Sequence, residues 1–116
     1  MTIHFVSKPL LLGAILLTMT FIASTHAQQK VAANASATIR IDNLAFLPAE
    51  ITIAPGTLLT WVNSDGIPHS VRAKNEAFRS RLLEPEQQFS FTFTAPGTYE
   101  YYCAEHPKMK GTVIVK

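Results

Sequence analysis

Four side chains of this 116-residue chain have the right chemistry to share one soft metal ion: His69, Cys103, His106 and Met109. Three of them fall within seven residues, in the Cys-x-x-His-x-x-Met stretch "CAEHPKM" at 103–109. Cys103 is the only cysteine, so it closes no intramolecular disulfide, and an exposed thiol in an oxidising compartment is open to oxidation. Each residue has an ordinary explanation when taken singly: a lone Cys is most often a small buried hydrophobe, a Met fills a core, and a His packs or faces water. Taken together, one thiolate, two imidazoles and one thioether form a donor set with a purpose. Cu(I) favours soft sulfur and Cu(II) favours imidazole nitrogen, so a mixed set holds both states with little rearrangement. Structural zinc sites use Cys and His and rarely a thioether. Met109 therefore points to copper rather than zinc.

The remaining His and Met residues, His4, His26, Met1 and Met19, all lie in "MTIHFVSKPLLLGAILLTMTFIASTHA". A short region carrying Lys8, an apolar run from Pro9 to Ala23 and the small-residue ending Thr25-His26-Ala27 have the layout of a secretory signal cut after Ala27. The apolar run is shorter than the roughly 18 residues of a membrane span and is broken by Thr18 and Thr20. Residues 1–27 are thus expected to be a signal peptide and the product periplasmic, with no membrane span in the mature chain. Without Lys8, nine basic and eight acidic side chains remain, a balance that gives no sign of nucleic-acid or membrane-surface binding. Arg72, Lys74, Arg79 and Arg81 gather in one stretch, but Glu76, Glu84 and Glu86 lie among them, as on a solvated face.

The donors need elements to position them. Residues 28–37 are polar and Ala-rich and read as a flexible lead-in, and 38–116 as one domain. From Thr38 onward short apolar alternations separated by Pro, Gly, Asn and Asp predict strands at 38–42, 51–53, 57–63, 69–73, 88–93, 98–103 and 112–115, the signature of an all-β sandwich. In "FSFTF", Phe89, Phe91 and Phe93 share one face and are expected in the core. "APGT" occurs at 54–57 and 95–98, each time before a strand, and Pro-Gly predicts a type II turn at both. The segment 73–88 holds either a helical turn or a long crossing connection.

The stretches "FLPAEITIAPGTLLTWVNSDGIPHSV" and "FSFTFTAPGTYEYYCAEHPKMKGTVIVK" resemble the cupredoxins, the small blue copper proteins that include plastocyanin, pseudoazurin and amicyanin. The spacing of the Cys-His-Met loop is similar to that of amicyanin. The resemblance implies an eight-stranded Greek-key β-sandwich with one type 1 copper held at one end by His69, Cys103, His106 and Met109, and with His106 reaching the surface. It implies a soluble, non-enzymatic, monomeric carrier of single electrons between transient redox partners such as a dehydrogenase or a cytochrome; the alternative is a periplasmic copper chaperone or buffer. Two positions depart from the family pattern. Ser70 stands where Asn is common, and its shorter hydroxyl is expected to tie the ligand loops less firmly. Glu105 stands where amicyanin has Pro, which restores a backbone N–H that could point at the thiolate.

Overall fold

The computed structural model describes residues 35–116, together with the isolated positions Thr2 and Gly13. The expected signal segment and most of the lead-in lie outside the described residues. Eight strands are present: β1 (Ser36–Asp42), β2 (Ala45–Leu47), β3 (Glu50–Ile53), β4 (Thr57–Asn63), β5 (Arg72–Ala73), β6 (Gln88–Phe93), β7 (Gly97–Tyr102) and β8 (Lys110–Val115). They form two four-stranded sheets in the orders β2-β1-β4-β6 and β3-β8-β7-β5. The pairs β1/β4 and β3/β8 are parallel and the others antiparallel, so the chain crosses repeatedly between layers as a Greek-key sandwich does.

The alternation in the sequence matches the burial where a strand has a sheet on one side and water on the other. In β4, Leu59 and Trp61 are sealed while Leu58 remains exposed. Trp61 is the hub, with the rings of Phe78, Phe89 and Tyr101 at 5.4, 5.7 and 5.5 Å. Of the three phenylalanines expected in the core, Phe93 is sealed, whereas Phe89 and Phe91 are half-buried and pack against its margin. β6 is an edge strand with only β4 beside it, which leaves those two rings partly open.

Two departures from the predicted elements have local causes. β2 is absent from the prediction because it has three residues and follows a tight turn, Asn43-Leu44, with φ of 51° and 59°. Two positive φ values suit the twist of a two-residue hairpin, but Leu rarely adopts one. The strand predicted over 69–73 is reduced to Arg72–Ala73, since the connection folds back along it: His69 and Leu83 exchange backbone hydrogen bonds at 3.0 and 2.7 Å, and Ser80 N–H donates to Val71 O at 2.8 Å. That connection contains no helix. Its Phe78 plugs the core, 5.3 Å from Phe93.

The two "APGT" segments also differ. At 54–57 the type II turn forms, with Gly56 at φ 91° and Thr57 N–H donating to Ala54 O at 3.2 Å. At 95–98 the Ala95 carbonyl instead accepts the Tyr99 hydroxyl at 2.7 Å, and Gly97 already pairs with Val115 in the sheet.

Candidate metal centre

Cys103 follows the last residue of β7 and is fully buried. The loop after it is closed on itself by backbone bonds: His106 N–H to Cys103 O at 3.3 Å, Met109 N–H to His106 O at 2.8 Å and Cys103 N–H to Met109 O at 3.1 Å. A seven-residue loop with three internal hydrogen bonds fixes the relative positions of its side chains. His106 is half-buried, and its Nδ1 lies 3.9 Å from Cys103 Sγ. Met109 is 5% exposed and belongs to the same buried cluster as Cys103.

His69 reaches the site from the other side of the sandwich's end. Its backbone is pinned to Leu83 in both directions and its ring is fully buried, with Nδ1 3.6 Å from Cys103 Sγ. The other ring nitrogen, Nε2, is 2.9 Å from Asp65 Oδ2. An ionised carboxylate only accepts, so Nε2 carries the hydrogen and Nδ1 keeps its lone pair for the site. The donor atoms of His69, Cys103 and His106 all lie within 4.8 Å of one another.

Asp65 and Asn63 support that geometry without signalling it in the sequence beyond the turn-like run "NSDGIPH". Asp65 Oδ2 also accepts Leu44 N–H at 3.0 Å, and Oδ1 accepts Gly66 N–H at 2.9 Å. The Leu44 N–H first, and then the His69 ring, hold its carboxyl below the ordinary carboxylate range. The buried Asn63 side chain accepts Asp65 N–H at 3.0 Å and donates to Ile67 O and Leu83 O, both at 2.9 Å. In this way one amide side chain shapes the whole loop that leads to His69.

Ser70 and Glu105 meet across the two ligand loops. The short Ser70 hydroxyl does span the two loops, accepting Ala104 N–H at 3.1 Å and donating to Glu105 Oε2 at 2.6 Å. The backbone N–H that meets Cys103 Sγ is that of Ser70, at 3.4 Å, while Glu105 presents its carboxylate, with Oε2 3.3 Å from the sulfur. Burial pushes the Glu105 carboxyl up, but the Ser70 hydroxyl, its own N–H, the Cys103 thiol and the Arg72 charge together hold it below the usual range. On the solvent side of the site, Leu44, Glu105, His106, Pro107, Lys108 and Met109 line an open, mainly apolar depression of about 450 Å³.

Two imidazole nitrogens and a sulfur converge at one end of the sandwich, with His69 and Cys103 fully buried and His106 half-buried, a donor set that fits copper in either oxidation state. Such a fold and site define a copper-binding β-sandwich. Residues 33–116 match the family of copper binding proteins described as plastocyanin/azurin, and the chain belongs to that family. It is 36% identical over 83 residues to amicyanin of Paracoccus versutus, covering 67% of this chain and 63% of that protein. Its identity to the chloroplastic plastocyanin of Physcomitrium patens is 34% over 111 residues, covering 81% and 66%. Among solved structures, the purple cupredoxin of Nitrosopumilus maritimus aligns with a TM-score of 0.66 at 32% identity, covering 69% of this chain and 99% of that one.

Proposed function

We propose that this chain is an exported, soluble type 1 copper protein that carries single electrons between transient redox partners, in which His69, Cys103 and His106 would hold the copper and Met109 would add a weaker thioether donor. The observation that carries the proposal is the approach of Cys103 Sγ to both Nδ1 atoms, at 3.6 and 3.9 Å. Bound copper supplies one-electron redox chemistry. The chain's part is to keep the ligands still. The reciprocal His69–Leu83 bonds and the closed 103–109 loop oppose movement between oxidation states, and full burial of His69 and Cys103 excludes water.

His106 is the partly open member of the three, and the apolar depression around it offers a partner a surface that desolvates readily. Electrons leave and enter by this edge. A small docking face suits redox encounters, which bury little area and dissociate quickly. No nucleic acid is implied. Among residues 35–116 there is no His beyond the two in the site, so a second copper for catalysis has no imidazole ligands, and the chain by itself is not an enzyme. Closed, buried donors also argue against a chaperone or buffer, which must release its metal.

Loading the protein with one equivalent of Cu(II) is expected to give intense blue thiolate-to-copper absorption and a reversible one-electron wave. Cys103→Ser is expected to abolish both. A colourless parent that binds zinc tetrahedrally would overturn the proposal.

A further inference from the structure

The loop carrying His69 and the loop carrying Cys103 and His106 meet through a short chain of contacts that leaves the donor nitrogens free. Ala104 N–H donates to Ser70 Oγ, and Ser70 Oγ–H donates to Glu105 Oε2 at 2.6 Å. That same oxygen lies 3.3 Å from Cys103 Sγ. The sulfur is fully buried and Ser70 nearly so, so the 3.3 Å path from Oε2 to the sulfur runs over buried atoms, while the outer side of the carboxylate faces solvent. Glu105 is otherwise an exposed residue on a surface loop. Left free, its side chain would extend into solvent; the Ser70 hydroxyl and the Cys103 S–H both donate to it and turn it inward, and once the sulfur is ionised on a metal the hydroxyl alone would hold it there.

A negative charge fixed beside a redox centre favours the more positively charged of its two states. The Ser70 N–H on the sulfur, at 3.4 Å, acts in the opposite sense, since a donor stabilises the electron-rich form. Arg72 offsets part of the carboxylate's field. The carboxylate carries a full charge and the amide a partial one, so the balance lies with Glu105.

We propose that Ser70 and Glu105 are a pair of positioning residues, in which the Ser70 hydroxyl holds the Glu105 carboxylate against the Cys103 sulfur and the fixed charge lowers the reduction potential of the site. This inference rests on the assignment of His69, Cys103 and His106 as copper ligands. It gives both departures from the family pattern one shared role.

The test is voltammetry of the copper-loaded protein and its variants, with the blue absorption recorded alongside. Glu105→Gln is expected to shift the Cu(I)/Cu(II) ratio at fixed solution potential toward Cu(I) by about threefold to tenfold, the latter equal to about 59 mV for one electron. Glu50→Gln, which removes an exposed carboxylate at the start of β3, controls for loss of net charge and is expected to leave the potential in place. In a Ser70→Ala background the effect of Glu105→Gln should shrink, because the carboxylate is no longer held inward. A parent that forms no blue complex overturns the ligand assignment and this inference with it. A blue parent in which Glu105→Gln moves the potential no more than Glu50→Gln, or moves it equally with and without the Ser70 hydroxyl, overturns this inference alone.

Discussion

Asp65 Oδ2 and His69 Nε2 are 2.9 Å apart, and the same oxygen accepts the N–H of Leu44 at 3.0 Å. One carboxylate thus fixes the tautomer of a buried imidazole and tethers the turn of the β1–β2 hairpin, whose Leu44 sits at positive φ. Asp65→Ala is expected to free the His69 ring and to weaken copper affinity about 10- to 100-fold, the usual effect of removing such a partner. Competition against a chelator of known affinity measures it. Asp65→Asn, which keeps an oxygen acceptor, should lose less.

The two imidazoles differ in access. His69 is 0% exposed, while His106 borders the open apolar depression. His106→Gly should therefore leave a gap that added imidazole fills, restoring blue absorption. His69→Gly should respond poorly, since its cavity is closed by the sandwich. Equal recovery in both variants would contradict the proposed exit through His106.

Gly111 pairs with Tyr101 across β7 and β8, and a Cβ at position 111 would fall on the Tyr101 ring. That ring has nowhere to go, being packed 4.6 Å from Phe46 and 5.5 Å from Trp61. Gly111→Ala is expected to destabilise the fold by about 1–3 kcal/mol through overpacking, read from chemical denaturation. Shortening the ring edge in Tyr101→Phe should recover part of the loss.

Burial pushes the Tyr101 hydroxyl up from 10.0 to about 12. The folded state therefore keeps this proton where the unfolded chain releases it. The stabilising contribution is complete below pH 10, declines as pH rises, and is gone above about 12, amounting to about 2–3 kcal/mol. Tyrosinate absorbance should show one of the three tyrosines ionising last, together with alkaline unfolding. Tyr101→Phe should remove that late step.

What depends on neighbours along the chain is legible before folding. β4 and β6 run over the predicted residues, 57–63 and 88–93, because β6 alternates apolar and polar residues and β4 is a bulky apolar run bounded by Gly56 and by the turn after Asn63. The 103–109 stretch displays its donors at a glance because a single short loop carries them and few ions want that mixture of sulfur and nitrogen. The tertiary structure decided what depends on residues far apart. His69 and Cys103 are 34 positions apart in the chain and 3.6 Å apart in space, and no local pattern encodes that meeting. The same is true of Leu44 with Asp65 and of Ser70 with Glu105. In each case the partners come together only because paired strands bring their loops to one end of the sandwich. Even the role of Glu105 turned on this. In the sequence only its backbone N–H stands out, whereas the folded loop turns its carboxylate toward the sulfur, because the hydroxyl that holds it comes from a different loop.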